Sequence, residues 1–160
     1  MILYFLRHGQ AGDRADWTGD DDERPLTKKG KESLGREAET IVQLDLRVDV
    51  ILTSPLVRAV QTGAVFAERL LLGDKFIQDA RLAPGFGIEQ LAEIVNEYGE
   101  ASAILLIGHE PDFSQTISDL TGGSRLVMKK GGLARVDLLP DTGSLAGELL
   151  WLVPPKVLIL

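Results

Sequence analysis

Apolar residues are spaced along this chain in two ways. Uninterrupted runs recur at Ile2-Leu3-Tyr4-Phe5-Leu6, Val50-Ile51-Leu52 and Ala103-Ile104-Leu105-Leu106-Ile107. Such runs fit short strands covered on both faces. Between them, spacings of three and four residues predict helices. Leu34, Ala38, Ile41 and Val42 would form the core face of a helix capped by Thr27. Val57, Val60, Ala64, Ala67 and Leu71 would do so in a helix started by Ser54 as cap and Pro55 in the first helical position. Ile88, Leu91, Ala92 and Val95 form a third face, which ends near Gly99, and Phe113, Ile117 and Leu120 a fourth, opened by Pro111 and stopped by Gly122-Gly123. Phe76-Ile77 reads as one more short strand.

From Leu133 the pattern changes to alternation, Ala134-Arg135-Val136-Asp137-Leu138. A turn at Pro140-Asp141-Thr142-Gly143 follows, and then Glu148-Leu149-Leu150-Trp151-Leu152, an antiparallel hairpin. Alternating strands and helices closed by a hairpin predict an α/β fold: a three-layer α/β/α sandwich on a mostly parallel sheet. The apolar tail, Val157 to Leu160, is too short to span a membrane and would dock on the domain or on a second copy.

Three predicted strands end on polar residues. The first runs into Arg7-His8-Gly9, the second into Thr53-Ser54 with Arg58 just beyond, and the third into Gly108-His109. Ligands of such sheets bind beyond the carboxyl ends of the strands, so residues about a hundred positions apart can share one pocket. The two histidines of the chain are both there. Arg58 falls in the first turn of its helix, where a cation opposes the helix dipole, and that placement asks for a reason other than helix stability. Gly30 in another first turn either lets the helix approach the Arg7–Gly9 turn closely or is an unfavourable position.

Composition narrows the chemistry. A chain of 160 residues with 44% hydrophobic content and no shift in composition reads as a single domain, 1–160. A net charge of −7 argues against nucleic acid and anionic membrane as partners, and leaves an anionic substrate dependent on a local basic pocket. Without cysteine there is no disulfide, no thiol nucleophile and no cysteine-ligated metal; with no signal-like leader, the cytoplasm is the expected compartment. Gln10 to Pro25 is a long polar stretch expected to lie over the first turn. Its run of acids, Asp20 to Glu23, has no ligand spacing and no partner histidine, so it reads as a solvated loop rather than a metal site.

The groups at the three strand ends suit phosphoryl transfer. Arginines offer permanently charged forks for phosphate oxygens, and a helix start adds N–H donors. A neutral imidazole is then the leading nucleophile, kept neutral by the guanidinium charges of Arg7 and Arg58. His8 would accept the phosphoryl group from its substrate, and His109 would donate hydrogen bonds to the transferring oxygens. Water then hydrolyses the phosphohistidine.

These residues resemble the histidine phosphatase superfamily, the phosphoglycerate mutase-like fold, whose signature is an Arg-His-Gly turn after the first strand. Ser54-Pro55-Leu56-Val57-Arg58-Ala59-Val60-Gln61-Thr62 looks like the family's second-arginine segment and Gly108-His109-Glu110-Pro111 like its second-histidine segment. The resemblance implies His8 as phosphoryl acceptor, Arg7, Arg58 and His109 around the phosphoryl group, and no required metal or other cofactor. The short length and Arg24-Pro25-Leu26-Thr27-Lys28-Lys29-Gly30 look most like the SixA-type phosphohistidine phosphatases, which implies a histidine-phosphorylated protein as partner and a role in signal transduction.

Relatives that act on phosphate esters carry an acid in an added segment where this chain is compact. Glu89 is the nearest acid by position, and an acid in a helix's first turn also simply favours the dipole. An alkoxide leaving group needs an acid, whereas imidazole, with a conjugate-acid pKa of about 6.5, leaves readily once its nitrogen is protonated. Two alternatives stay open: a small-molecule phosphomonoesterase or mutase using Glu89 or an acid of the Gln10–Pro25 loop, and a non-catalytic phosphoryl-binding module.

Overall fold

The computed structural model describes residues 1–140 and 143–159. Asp141 and Thr142 of the expected hairpin turn, and Leu160 of the tail, lie outside these. One six-stranded sheet runs through the molecule: β1 (Ile2–Arg7), β2 (Val50–Thr53), β3 (Phe76–Gln78), β4 (Ala103–Gly108), β5 (Leu133–Leu138) and β6 (Gly147–Val153). The spatial order is β3-β2-β4-β1-β5-β6. β1, β2, β3 and β4 pair in parallel, while β5 and β6 add an antiparallel hairpin beside β1. The expected fold class is the one observed.

Because successive strand residues point to opposite faces, each run fills two cores. Leu3, Phe5, Leu52 and Leu106 face one side, where α3 (Ile88–Glu97) and α4 (Asp112–Leu120) add Leu91, Ile94, Phe113 and Ile117. Tyr4, Leu6, Ile51 and Leu105 face the other, covered by α1 (Lys28–Gln43), α2 (Val57–Arg69) and the short α5 (Pro155–Leu158). Burial of one such side chain stabilises the fold by roughly 1.5–3 kcal/mol. The tail docks on the domain: Leu158 is buried in the second core, and its carbonyl accepts from Thr40 of α1.

Helix faces differ from the sequence reading in several places. Thr27 caps α1 as expected, its hydroxyl accepting from Gly30 N–H at 3.0 Å, but Val42 is exposed. In α3 Ile94 is buried and Ala92 exposed. The larger correction is in α2, which buries Arg58, Ala59, Thr62, Gly63, Phe66 and Ala67, leaving Leu71 beyond its end and exposed. Small residues decide this face, since a side chain at Gly63 would run into Phe76 and Ile107. Thr62 can be buried because its hydroxyl donates to Arg58 O and accepts from Gly9 N–H. α2 also begins at Val57 with Leu56 as its cap residue, so Ser54 and Pro55 precede the helix. Ser54 instead accepts from Leu56 N–H at 3.3 Å and meets a histidine across the sheet.

Candidate active site

The carboxyl ends of β1, β2 and β4 open on a pocket of about 340 Å³ lined by Arg7, His8, Arg58 and His109. All four candidates lie together there. Adjacent pairing of β1 with β4 sets Arg7 opposite Gly108, so that His8 and His109 follow side by side, their ring centroids 5.3 Å apart. The turn after β1 is tightly held. Gly9 packs against Leu34 with no room for a side chain, and Gly131 N–H donates to both Arg7 O and His8 O at 3.1 Å.

His8 is 6% exposed, and its Nδ1 lies 2.8 Å from Gly9 O. A carbonyl only accepts, so Nδ1 carries the proton and Nε2 keeps its lone pair. Among the described residues Nε2 has no hydrogen-bond partner. Burial above all, with His109, Arg58 and Arg7 nearby, pushes the His8 pKa down to about 3 against the Gly9 hydrogen bond. His109 is lowered to about 4, by burial and then by Arg58 and Arg7. Its Nε2 pairs with Ser54 Oγ at 2.7 Å, and its buried Nδ1 has no partner.

Both arginines are oriented yet incompletely paired. Arg7 Nη1 donates to Met128 O at 2.8 Å, and its buried Nε is free. Arg58 gives Nη1 to Asp21 O at 2.7 Å and Nη2 to Asp21 Oδ2 at 3.2 Å, its Nε also unpartnered. Buried N–H groups without acceptors, beside two neutral imidazoles, suit a tetrahedral oxyanion.

Three acids reach this pocket, Asp21, Glu110 and Asp112; Glu89 is exposed and does not line it. Asp21 is held by Arg24 and Arg58, Glu110 accepts from Ser114 N–H and hydroxyl, and Asp112 accepts from Gly85 N–H. Asp21 corrects the reading of the acidic run as merely solvated: a 3₁₀ turn at Asp21–Glu23 seats it on Arg58. Charge complementarity between that run and the strand-end arginines was the available signal. Ser54 beside His109 and Thr62 beneath Gly9 were also missed as site residues, because their sequence roles as cap and helix surface are common ones. Among the described residues no group of three or more histidines and acids is arranged to hold a metal ion.

Comparison with known proteins bears on family and fold. The family model described as histidine phosphatase superfamily, branch 1, matches residues 3–102. The chain is 35% identical to an uncharacterized protein of Picosynechococcus over 99% of each. In fold it is similar to the protein histidine phosphatase SixA complexed with tungstate, with a TM-score of 0.87, 24% identity and 99% of each chain covered. It is also similar to a mycobacterial glucosyl-3-phosphoglycerate phosphatase, with a TM-score of 0.76, 17% identity, and 94% and 97% of the two chains covered.

Proposed function

The chain belongs to the histidine phosphatase superfamily, and we propose that it is a phosphatase of that superfamily that hydrolyses phosphohistidine in a protein through a covalent intermediate on His8. Nε2 of His8 attacks phosphorus along the line of the bond to the substrate imidazole. That P–N bond breaks as the new one forms, and the substrate imidazole departs neutral with its proton already on the ring. Arg7 and Arg58 neutralise the equatorial oxygens, whose charge they meet with planar donors. With Ser54 donating to Nε2 of His109, the proton sits on His109 Nδ1, which donates to the same oxygens. Water then attacks the phosphohistidine, His8 leaves as the neutral ring, and inorganic phosphate departs.

The observation that carries the substrate choice is that every acid of the pocket is already engaged. An alkoxide would need a carboxylic acid to protonate it, and an imidazole would not. The likeness to SixA supports this reading, and the likeness to a sugar phosphoglycerate phosphatase supports the small-molecule alternative, whose donor would come from the Gln10–Pro25 loop, of which Asp21 is the acid that lines the pocket.

Phosphate release from a phosphohistidine protein, a phosphoserine peptide and phosphoglycerate tests it. Release from the first is expected, with little from the esters, and His8→Ala should lower it by at least about a thousandfold. Release from the esters alone would sink the phosphohistidine reading. Unchanged activity in His8→Ala would remove His8 as nucleophile, and release from none would leave a binding module.

A further inference from the structure

A larger cavity, about 660 Å³, lies between α1, the loop at residues 129–131 and the start of α5. It is within the range of about 300–1,000 Å³ common for small-molecule sites. His8, Arg58 and His109 do not line it, though Lys130 borders both cavities. Five cations surround it: Lys29 and Arg36 from α1, Lys129 and Lys130 from the loop, and Lys156 from α5. A chain of net charge −7 thus gathers five of its seventeen cationic residues around one hollow. Among the described residues none of the four lysines is in an ion pair.

The same cavity is lined by a buried acid. Glu37 is 1% exposed; Ser33 donates to its Oε1 at 2.9 Å, and its Oε2 has no partner. Gly131, at φ +76°, packs against this carboxyl and would crowd it with any side chain. A buried carboxyl oxygen is costly unless a donor completes it. Burial pushes the group up to about 7, so it stands ready both to accept and, when protonated, to donate. Leu34, Pro154, Pro155 and Ile159 supply an apolar wall.

We propose that this cavity is a second ligand site, taking a nucleotide-sized organic polyphosphate whose hydroxyl or amino group reaches Glu37 while its phosphates lie among Lys29, Arg36, Lys129 and Lys156. The five exposed cations give the cavity a positive field that attracts negative charge, the unpaired buried oxygen calls for a donor, and the apolar wall favours a body between the two. A flat protein surface would satisfy the lysines but not the sunken carboxyl. Gly131 links the site to the catalytic turn, since its N–H holds Arg7 O and His8 O.

Calorimetric titration of the His8→Ala protein, which should not turn the probe over, separates the possibilities. ATP without divalent cation should bind one to one, inorganic triphosphate more weakly, and adenosine not measurably. Lys129→Glu with Lys156→Glu should weaken ATP by about tenfold or more, and Arg14→Glu, which borders only the catalytic pocket, should leave it unchanged. Glu37→Ala should reduce ATP to the affinity of triphosphate; the two surface reversals carry the test if that variant does not fold. No binding of ATP overturns the site, as does equal affinity for ATP and triphosphate, which marks a plain basic patch. Loss in Arg14→Glu with none in the lysine reversals would put the probe in the catalytic pocket and also overturn it.

Discussion

His8 and His109 stay neutral because the fold buries them beside cations, and that neutrality makes the protein acid-sensitive. Their folded pKa values, about 3 and about 4, lie below the ordinary 6.5. Stability from this source is complete above 6.5 and is lost as pH falls toward those values, because the unfolded chain binds protons that the folded chain refuses. Each histidine should add up to about 1.4 kcal/mol per pH unit to the slope within that window. Glu37, raised to about 7, has the opposite sign: its contribution is complete below the ordinary 4.5 and is lost as pH rises through 7. Urea unfolding of wild type and His109→Gln across the histidine window isolates the difference, the variant giving the shallower slope. At the same scale Asp21 competes for Arg58 with any incoming anion. Asp21→Asn should lower the product-inhibition constant of inorganic phosphate by roughly three- to tenfold, the scale of about 1 kcal/mol expected for a partly exposed ion pair. An unchanged or higher constant would mean that Asp21 mainly orients the guanidinium.

At the level of elements, a few close approaches fix where the strand-end residues point. Gly30 of α1 lies against Gln10 O, and the adjoining Thr27 N–H donates to that same carbonyl at 2.9 Å. Of the two sequence readings of Gly30, close approach is the one that holds, the neighbour being Gln10 just past the Arg7–Gly9 turn. Gly30→Ala has to push helix and strand end apart, and should cost about 1–3 kcal/mol in chemical denaturation while weakening turnover through the His8 turn. The sequence was least informative about α2. An apolar stripe of Val57, Val60 and Ala64 obeys helical spacing as well as the buried stripe does. What selects the buried one is the fit of Gly63 to β3 and β4 and the hydrogen bonds of Thr62, and neither is a property of the helix alone.

At the scale of the whole molecule, two cores share one sheet, each strand contributing alternate residues to both. That sharing underlies the proposal of a single domain, because neither core can open without exposing the other face of the same strands. Phe66→Ala and Phe113→Ala, one in each core, should each cost roughly 3–5 kcal/mol and shift one common transition in calorimetry; two separable transitions would contradict it. By itself the sequence determined the strands, the polar residues at their carboxyl ends and the residue types that the sheet gathers there. Runs of apolar residues and the turns that stop them are local properties, and a parallel α/β sheet has few ways to align its carboxyl ends. Tertiary structure alone decided which acid of the Asp20–Glu23 run sits on Arg58, that Ser54 belongs to His109, that Glu89 stands apart, and that Glu37 is buried in the wall of a cavity bordered by four lysines. Each of these depends on the distance between groups far apart in the chain, and side-chain type and spacing carry no record of that distance.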